Sequence, residues 1–553
     1  MKRVKIALLS AALLAALIAP PTFATDLSDE MELSASRFTP ENSRGHIGYL
    51  AFPRSAGLDV RDSFLLGMSL NSDGKPAEVG LCGSIDSDSC RNLSDFTVAS
   101  ILPMCTPSMT TNCIIEFSAQ DKDGKNLVVI DLGPFTTEVH NQYSGDADKG
   151  IPFGSVPHLY RIPGAPHEAG DLYLPLITRS GHWSRQEQKM STFDNTSIAL
   201  YAVSTKQGTF SRFRPSVDAA DYEVKNQIVT FGTDPNCIYN DSTTCAVAHS
   251  LPREVNFGFR VNYSHLSERW FHGRISEPSV GLTVGRSSGF DISISARPIQ
   301  SAGFFALRER SSLPSEILSK QEVKIGKGVC SGNSADSSCY DSNLWQTEDE
   351  MQTFLQWLKI AEDRASFNPT IWNFNSMNQA LDHPRSSVCL PSDSGLIGVV
   401  STNATQYLSG PPRFNSATGD LEYQVAAPHL QADGTLFRGS YELTIKSDYA
   451  RCIYGLSSAP VKATVSVLSE SGQLVAATTS QSESAGWLQL SAQNFTFSSP
   501  KVAIKFGQDE SAVKGIENLK SQTPTKKILC VKGAKSKTLK AGKIKCPKGY
   551  KKA

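Results

Sequence analysis

Apolar and polar residues alternate with a period of two through much of this chain. Val255, Phe257, Phe259, Val261 and Tyr263 alternate with Asn256, Gly258, Arg260 and Asn262. Phe290, Ile292, Ile294 and Ala296 alternate with Asp291, Ser293, Ser295 and Arg297. A strand turns successive side chains to opposite faces, so each pattern predicts a half-buried strand. Such signals dominate from about residue 46 to 300. The run Phe96–Leu102, then CIIEFSAQ (113–120) and LVVIDLG (127–133), predicts a three-stranded meander with its second turn at Asp123-Gly124.

One segment follows helical spacing instead. Met351, Phe354, Leu355, Leu358 and Ala361 recur every three or four residues, and Thr347 with Glu350 forms a capping box ahead of an acidic first turn. This predicts a helix of about 18 residues, with Trp345, Trp357 and Trp372 as neighbours that bury it. After Cys389 short strands return (GLIGVV, LEYQV, YELTIKS, KATVSVL, QLVAAT, GWLQLSA, FTFSS, KVAIKF), a spacing that fits a β-sandwich.

The fold class expected is therefore mainly β: multidomain, antiparallel and sandwich-like, with one inserted helical segment and a short disulfide-closed basic tail. The boundaries read as a leader at 1–24, a β-rich region at 25–345 with room for two domains, the helical segment at 346–386, a sandwich at 387–507, a linker at 508–526 and the tail at 527–553.

Twelve cysteines sharpen this picture. Cys82/Cys90, Cys105/Cys113, Cys237/Cys245 and Cys330/Cys339 each enclose a short stretch rich in turn-forming residues. None has the CxxC and histidine spacing of a zinc site. Cys530/Cys546 is a fifth close pair, which by elimination leaves Cys389 with Cys452. Bridges persist in oxidising surroundings, and the first residues agree: Lys2, Arg3 and Lys5 precede an apolar run from Ile6 to Ala19, then small residues. That is the tripartite export signal, with cleavage expected after Ala24 and a secreted or cell-surface destination.

Catalytic motifs are weak. Gly285–Gly289 satisfies G-x-S-x-G, but a strand pattern follows where a nucleophile elbow needs a helix, so a hairpin turn is expected. His158, His167 and His182, with Glu168 and Asp171, lie close in sequence without metal-ligand spacing, among prolines that suggest loops, and read as scattered surface histidines. DADKG (146–150) and DKDG (121–124) resemble fragments of calcium loops. Turn chemistry is the favoured reading there, so no cofactor is expected beyond weakly held structural calcium. Trp270-Phe271-His272-Gly273-Arg274 reads as core packing at a sheet corner.

Net charge is zero, but it is unevenly spread. Residues 526–553 carry eleven lysines and no acid, whereas residues 25–525 carry 40 basic and 54 acidic residues, a net of −14. Lys532, Lys535, Lys537, Lys540, Lys543, Lys545, Lys548, Lys551 and Lys552 are the candidate binding residues. Such a polycation binds phosphate- or carboxylate-bearing polymers with steep salt dependence. The expected partners are an anionic cell-wall polymer or a membrane surface. Nucleic acid is not expected, because Tyr550 is the tail's one aromatic.

The stretches Cys530-Val531-Lys532-Gly533 and Lys545-Cys546-Pro547-Lys548-Gly549-Tyr550-Lys551-Lys552 resemble the two-cysteine, lysine-rich ending of uncharacterised secreted proteins of Actinobacteria. GPPRFN, ARCIYGLSSAPVKATVSV and FTFSSPKVAIKF resemble a region that accompanies this ending. The resemblance implies an exported envelope protein and brings no catalytic residues. The function expected is a non-enzymatic surface protein contacting polyanions through its tail. One alternative is an extracellular carbohydrate-binding or carbohydrate-active protein, which exposed aromatics such as Trp183, Trp270 or Trp487 in a groove lined by carboxylates would favour. Another is a secreted hydrolase using dispersed residues near His158–His182.

Overall fold

A computed structural model describes residues 46–508 except 52–61, 73–75, 139–141, 211–236, 265–268, 285–288, 320–338, 343–346, 378, 391–394, 459, 470 and 498–499; in the tail it describes 528–532, 535–539, 548 and 551–552. The leader, the linker and tail residues Lys540, Lys543 and Lys545 lie outside the described residues. Among the described residues the protein is mainly β, 54% strand against 8% helix, in multiple antiparallel sheets.

The spine is a 19-residue strand, Lys189–Gln207. One edge pairs along its length with Leu172–Ser184, which leads on to Asp95–Ile101, Phe64–Leu70 and Pro76–Leu81. The other edge pairs with Thr370–Met377 and Thr244–His249. A second layer, Cys113–Gln120, Asn256–Tyr263, Phe290–Gln300 and the C-terminal half of Trp270–Val284, lies against this one. Between them Phe117 stacks on Phe259 at 4.7 Å and Phe259 meets Trp372 at 5.3 Å, in a core shared with Ile177, Ile198 and Leu200. The predicted alternation is seen directly: Ile292, Ile294 and Ala296 are buried, while Ser293 is exposed and Ser295 half-buried.

Strand Trp270–Val284 serves both layers. Its register shifts between Ser276 and Ser279, where Glu277 adopts φ 54°, the mark of a bulge that re-aims a strand. Before the bulge, Trp270–Gly273 pairs in parallel with Gly398–Ser401. That pairing crosses the boundary expected near residue 387. From Gly398–Thr402 the sheet continues through Arg438–Lys446 and Trp487–Thr496 to Thr478–Ser484. A six-stranded sheet centred on Asp420–Ala426 and Lys501–Gln508 packs over it. Tyr441, Leu443 and Leu488 from one sheet meet Leu421, Val425 and Ile504 from the other, giving the sandwich-like C-terminal layer pair.

Helix α1 spans Glu348–Ile360, with the Thr347–Glu350 capping box formed. Its buried Met351, Phe354, Trp357 and Leu358 cover a three-stranded sheet of His46–Ala51, Phe304–Glu309 and Cys339–Ser342. Tyr49 stacks on Phe354 and Trp357 at 6.0 and 5.8 Å. The helix is shorter than expected because Glu362 and Asp363 turn left-handed, at φ 61° and 52°. Trp372 does not pack on it but lies in the core between the two layers, and Trp345 is outside the described residues. A second helix, α2 (Ser447–Tyr454), was hidden behind the strand-like YELTIKS; Gly455 at φ 65° ends it.

The expected meander is not formed. Asp95–Ile101 pairs in the first layer and Cys113–Gln120 in the second, so the Cys105–Cys113 loop carries the chain between layers. The turn itself is present: Asp121 accepts the N–H groups of Asp123 and Lys125 at 3.0 Å, and Gly124 takes φ 79°. Bridges Cys82–Cys90, Cys105–Cys113, Cys237–Cys245 and Cys389–Cys452 are all formed. Among the described residues no cysteine is free; Cys330 and Cys546, and with them the remaining two pairs, lie outside those residues.

Candidate functional site

In the tail, Ile528–Lys532 is the central strand between Lys535–Leu539 and Lys551–Lys552. Lys532 pairs directly with Lys535, and Cys530 has Lys537 on one side and Lys552 on the other. Neighbouring strands lie about 4.8 Å apart, so the backbone register brings lysine positions 532, 535, 537, 551 and 552 together on one small sheet. Lys548 is exposed.

The other residues singled out in the sequence sort cleanly. Trp183, Trp270 and Trp487 are buried, at 1%, 1% and 7% exposure, so none offers a face to a sugar ring. Trp270, His272 and Arg274 belong to the interior. His272 stacks on Tyr407 at 3.6 Å, and Arg274 donates to the carbonyls of Ala404 and Thr405. Burial, and then the adjacent Arg274 guanidinium, pushes the His272 imidazole well below its ordinary pKa. Val284 pairs with Phe290, which makes the G-x-S-x-G segment the connection of an antiparallel hairpin; residues 285–288 are outside the described set. Asp146 accepts the Lys149 N–H at 3.1 Å and pairs with its ammonium at 2.8 Å, so DADKG is built as a turn.

The three histidines go to different places. His158 pairs with Asp131 at 2.9 Å, His182 is exposed opposite Thr97, and His167 sits in a tight turn closed by Gly170. Among the described residues no three His, Cys, Asp or Glu side chains gather as metal ligands.

His167 leads to an arrangement that sequence reasoning missed. Its ring lies 5.6 Å from that of His249, nearly parallel. His249 Nε2 is 2.8 Å from Ser204 Oγ, and His249 Nδ1 is 3.5 Å from Glu168 Oε1. A hydroxyl, an imidazole and a carboxylate thus stand in series, with the two partners on opposite ring nitrogens. Ser204 and His249 lie on adjacent strands, since Ser204 pairs with Val247 and His249 with Ala202. An apolar cavity of about 20 Å³ beside His249 is lined by Leu251, Ile371 and Trp372 among others.

A second polar feature sits at the bulge. Glu442 is 8% exposed and accepts the Glu277 N–H at 2.8 Å and the Gln493 amide at 2.9 Å. Burial pushes its carboxyl up to about 7 against the pull of the hydrogen bond from Glu277. No sequence pattern marks Glu442, because Glu277 and Gln493 reach it from distant strands.

No protein-family model and no curated protein matches this chain, so its functional reading is carried by its own residues.

Proposed function

We propose that this is an exported or cell-surface envelope protein whose polybasic tail contacts anionic cell-wall polymers or lipid headgroups. One observation carries the reading: residues 526–553 hold eleven lysines and no acid, against a body of net −14. Polyelectrolytes bind such a segment by counterion release, which makes the contact strong at low salt and weak at high salt. The backbone pairing of Lys532 with Lys535 adds to the case, because the small sheet gathers lysine positions that one anionic polymer could contact together. Disulfides support an oxidising destination, and the tripartite leader supports export.

Deleting 527–553 tests the reading. The shortened protein should leave the cell envelope for the medium and lose binding to purified anionic wall polymer or anionic vesicles. Full-length protein should lose the same binding between roughly 50 and 500 mM salt. Retention unchanged by the deletion would reject the role of the tail.

A further inference from the structure

Three separate stretches meet at the His249 imidazole: the turn carrying Glu168, the spine strand carrying Ser204, and the strand Thr244–His249 that carries the ring itself. The positions are fixed by the fold. His249 lies in the ladder opposite Ala202, its ring packs along His167, and the Cys237–Cys245 bridge closes the hairpin from which its strand emerges. Its side chain is 9% exposed while that of Glu168 is 49% exposed, and Ser204 is half-buried at the end of the interlayer core. Ser204 is thus partly open to solvent, while the imidazole is almost fully screened.

We propose that Ser204 is an activated nucleophile that accepts a small acyl group from an ester, with His249 as its general base and Glu168 as the residue that positions His249. The order of the groups has the polarity this chemistry needs. Nε2 is hydrogen-bonded to the hydroxyl, and the Glu168 carboxylate stands 3.5 Å from Nδ1, within ion-pair reach but not hydrogen-bonded to it. Drawn onto Nδ1, the carboxylate would hold the tautomer whose Nε2 lone pair faces the hydroxyl. In the step itself Ser204 Oγ forms a bond to the acyl carbon as its proton passes to His249 Nε2. The bond from that carbon to the alkoxide breaks, and the alkoxide leaves with the proton from Nε2 as an alcohol. Water, deprotonated by His249, then releases the acid and restores Ser204. The cavity of about 20 Å³ beside His249 is not lined by Ser204, so a small acyl group, acetyl, is the one to test first. Val203 is paired on both edges of its strand, whereas Ser204 and Thr205 are paired only on the edge facing Val247 and Ala246. With release after acylation as the slower step, the acyl-enzyme should accumulate.

The experiment uses the full-length oxidised protein with p-nitrophenyl acetate and, separately, a fluorophosphonate. One equivalent of p-nitrophenol is expected in a burst, with mass increments on the peptide containing Ser204. Ser204→Ala should abolish both, and His249→Gln should slow them about 100-fold or more. Glu168→Gln should move the midpoint of the acylation pH profile downward, because the imidazolium loses its carboxylate neighbour, and Glu168→Asp should move it back; a purely structural role for Glu168 would leave that midpoint in place. Circular dichroism establishes that each variant is folded. Absence of label on the folded protein, or label that survives Ser204→Ala, overturns the proposal.

Discussion

Gly398 lies opposite Trp270 in the parallel pair that joins the two layered halves, and the indole fills the space a side chain would need there. A Cβ at residue 398 would stand 2.7 Å from Cη2 of that ring, closer than real Cβ contacts allow. Trp270 is 1% exposed and has nowhere to retreat. Gly398→Ala should therefore cost about 1–3 kcal/mol, read as a lower midpoint in chemical denaturation. An unchanged midpoint would mean that this junction yields easily.

Glu442 predicts an unusual pH dependence. Its carboxyl titrates near 7 in the folded state against 4.5 for an ordinary glutamate. Between those values the unfolded chain has released the proton and the folded protein still holds it. Stability from this group should fall as pH rises from about 4.5 to 7, by at most roughly 3 kcal/mol. Glu442→Gln should remove that slope, so variant and parent unfolding energies should diverge progressively between pH 5 and 8 in the variant's favour.

His272 works in the opposite direction. The folded protein keeps it neutral, so below the ordinary imidazole pKa of about 6.5 the unfolded state binds a proton that the folded state refuses. Stability from this group is full above about 6.5 and declines on acidification. Replacing it by Phe, which keeps a flat ring over Tyr407, should flatten the acid limb of the stability profile.

The bridges should differ in weight. Cys389 and Cys452 are 63 residues apart, while Cys105 and Cys113 are separated by eight. In the loop-entropy account, removing the long bridge as a double serine variant costs about 4 kcal/mol and removing the short one roughly 2.5. Denaturation of the two variants side by side checks the order.

Thr347 caps α1 through the Glu350 N–H at 3.2 Å. Thr347→Ala should cost about 1 kcal/mol, with faster amide exchange confined to the first turn of the helix.

Much of the architecture was legible because local pattern and final burial agree. Phe257, Phe259 and Val261 alternate in sequence and are all buried, and the capping box of α1 needs only residues 347–350. Pairing was another matter. The Cys105–Cys113 segment announces a turn, but nothing in it says that its flanking strands join different layers. Lys189–Gln207 and Trp270–Val284 are longer than any single alternation, since each changes partners along its length. The hydroxyl, imidazole and carboxylate around His249 were invisible for the same reason: Ser204 and His249 are 45 residues apart and meet only through strand register. The tail was the opposite case, since its charge is a property of composition and is read without any fold.

The strand that begins at Trp270 ties the fate of distant parts of the gene together. Recombination that moved the coding region for residues 395–508 to another host would strip Gly398–Thr402 of its parallel neighbour and bare a sticky edge on both donor and product. Lineages carrying this body should therefore inherit it whole, its middle passing on undivided.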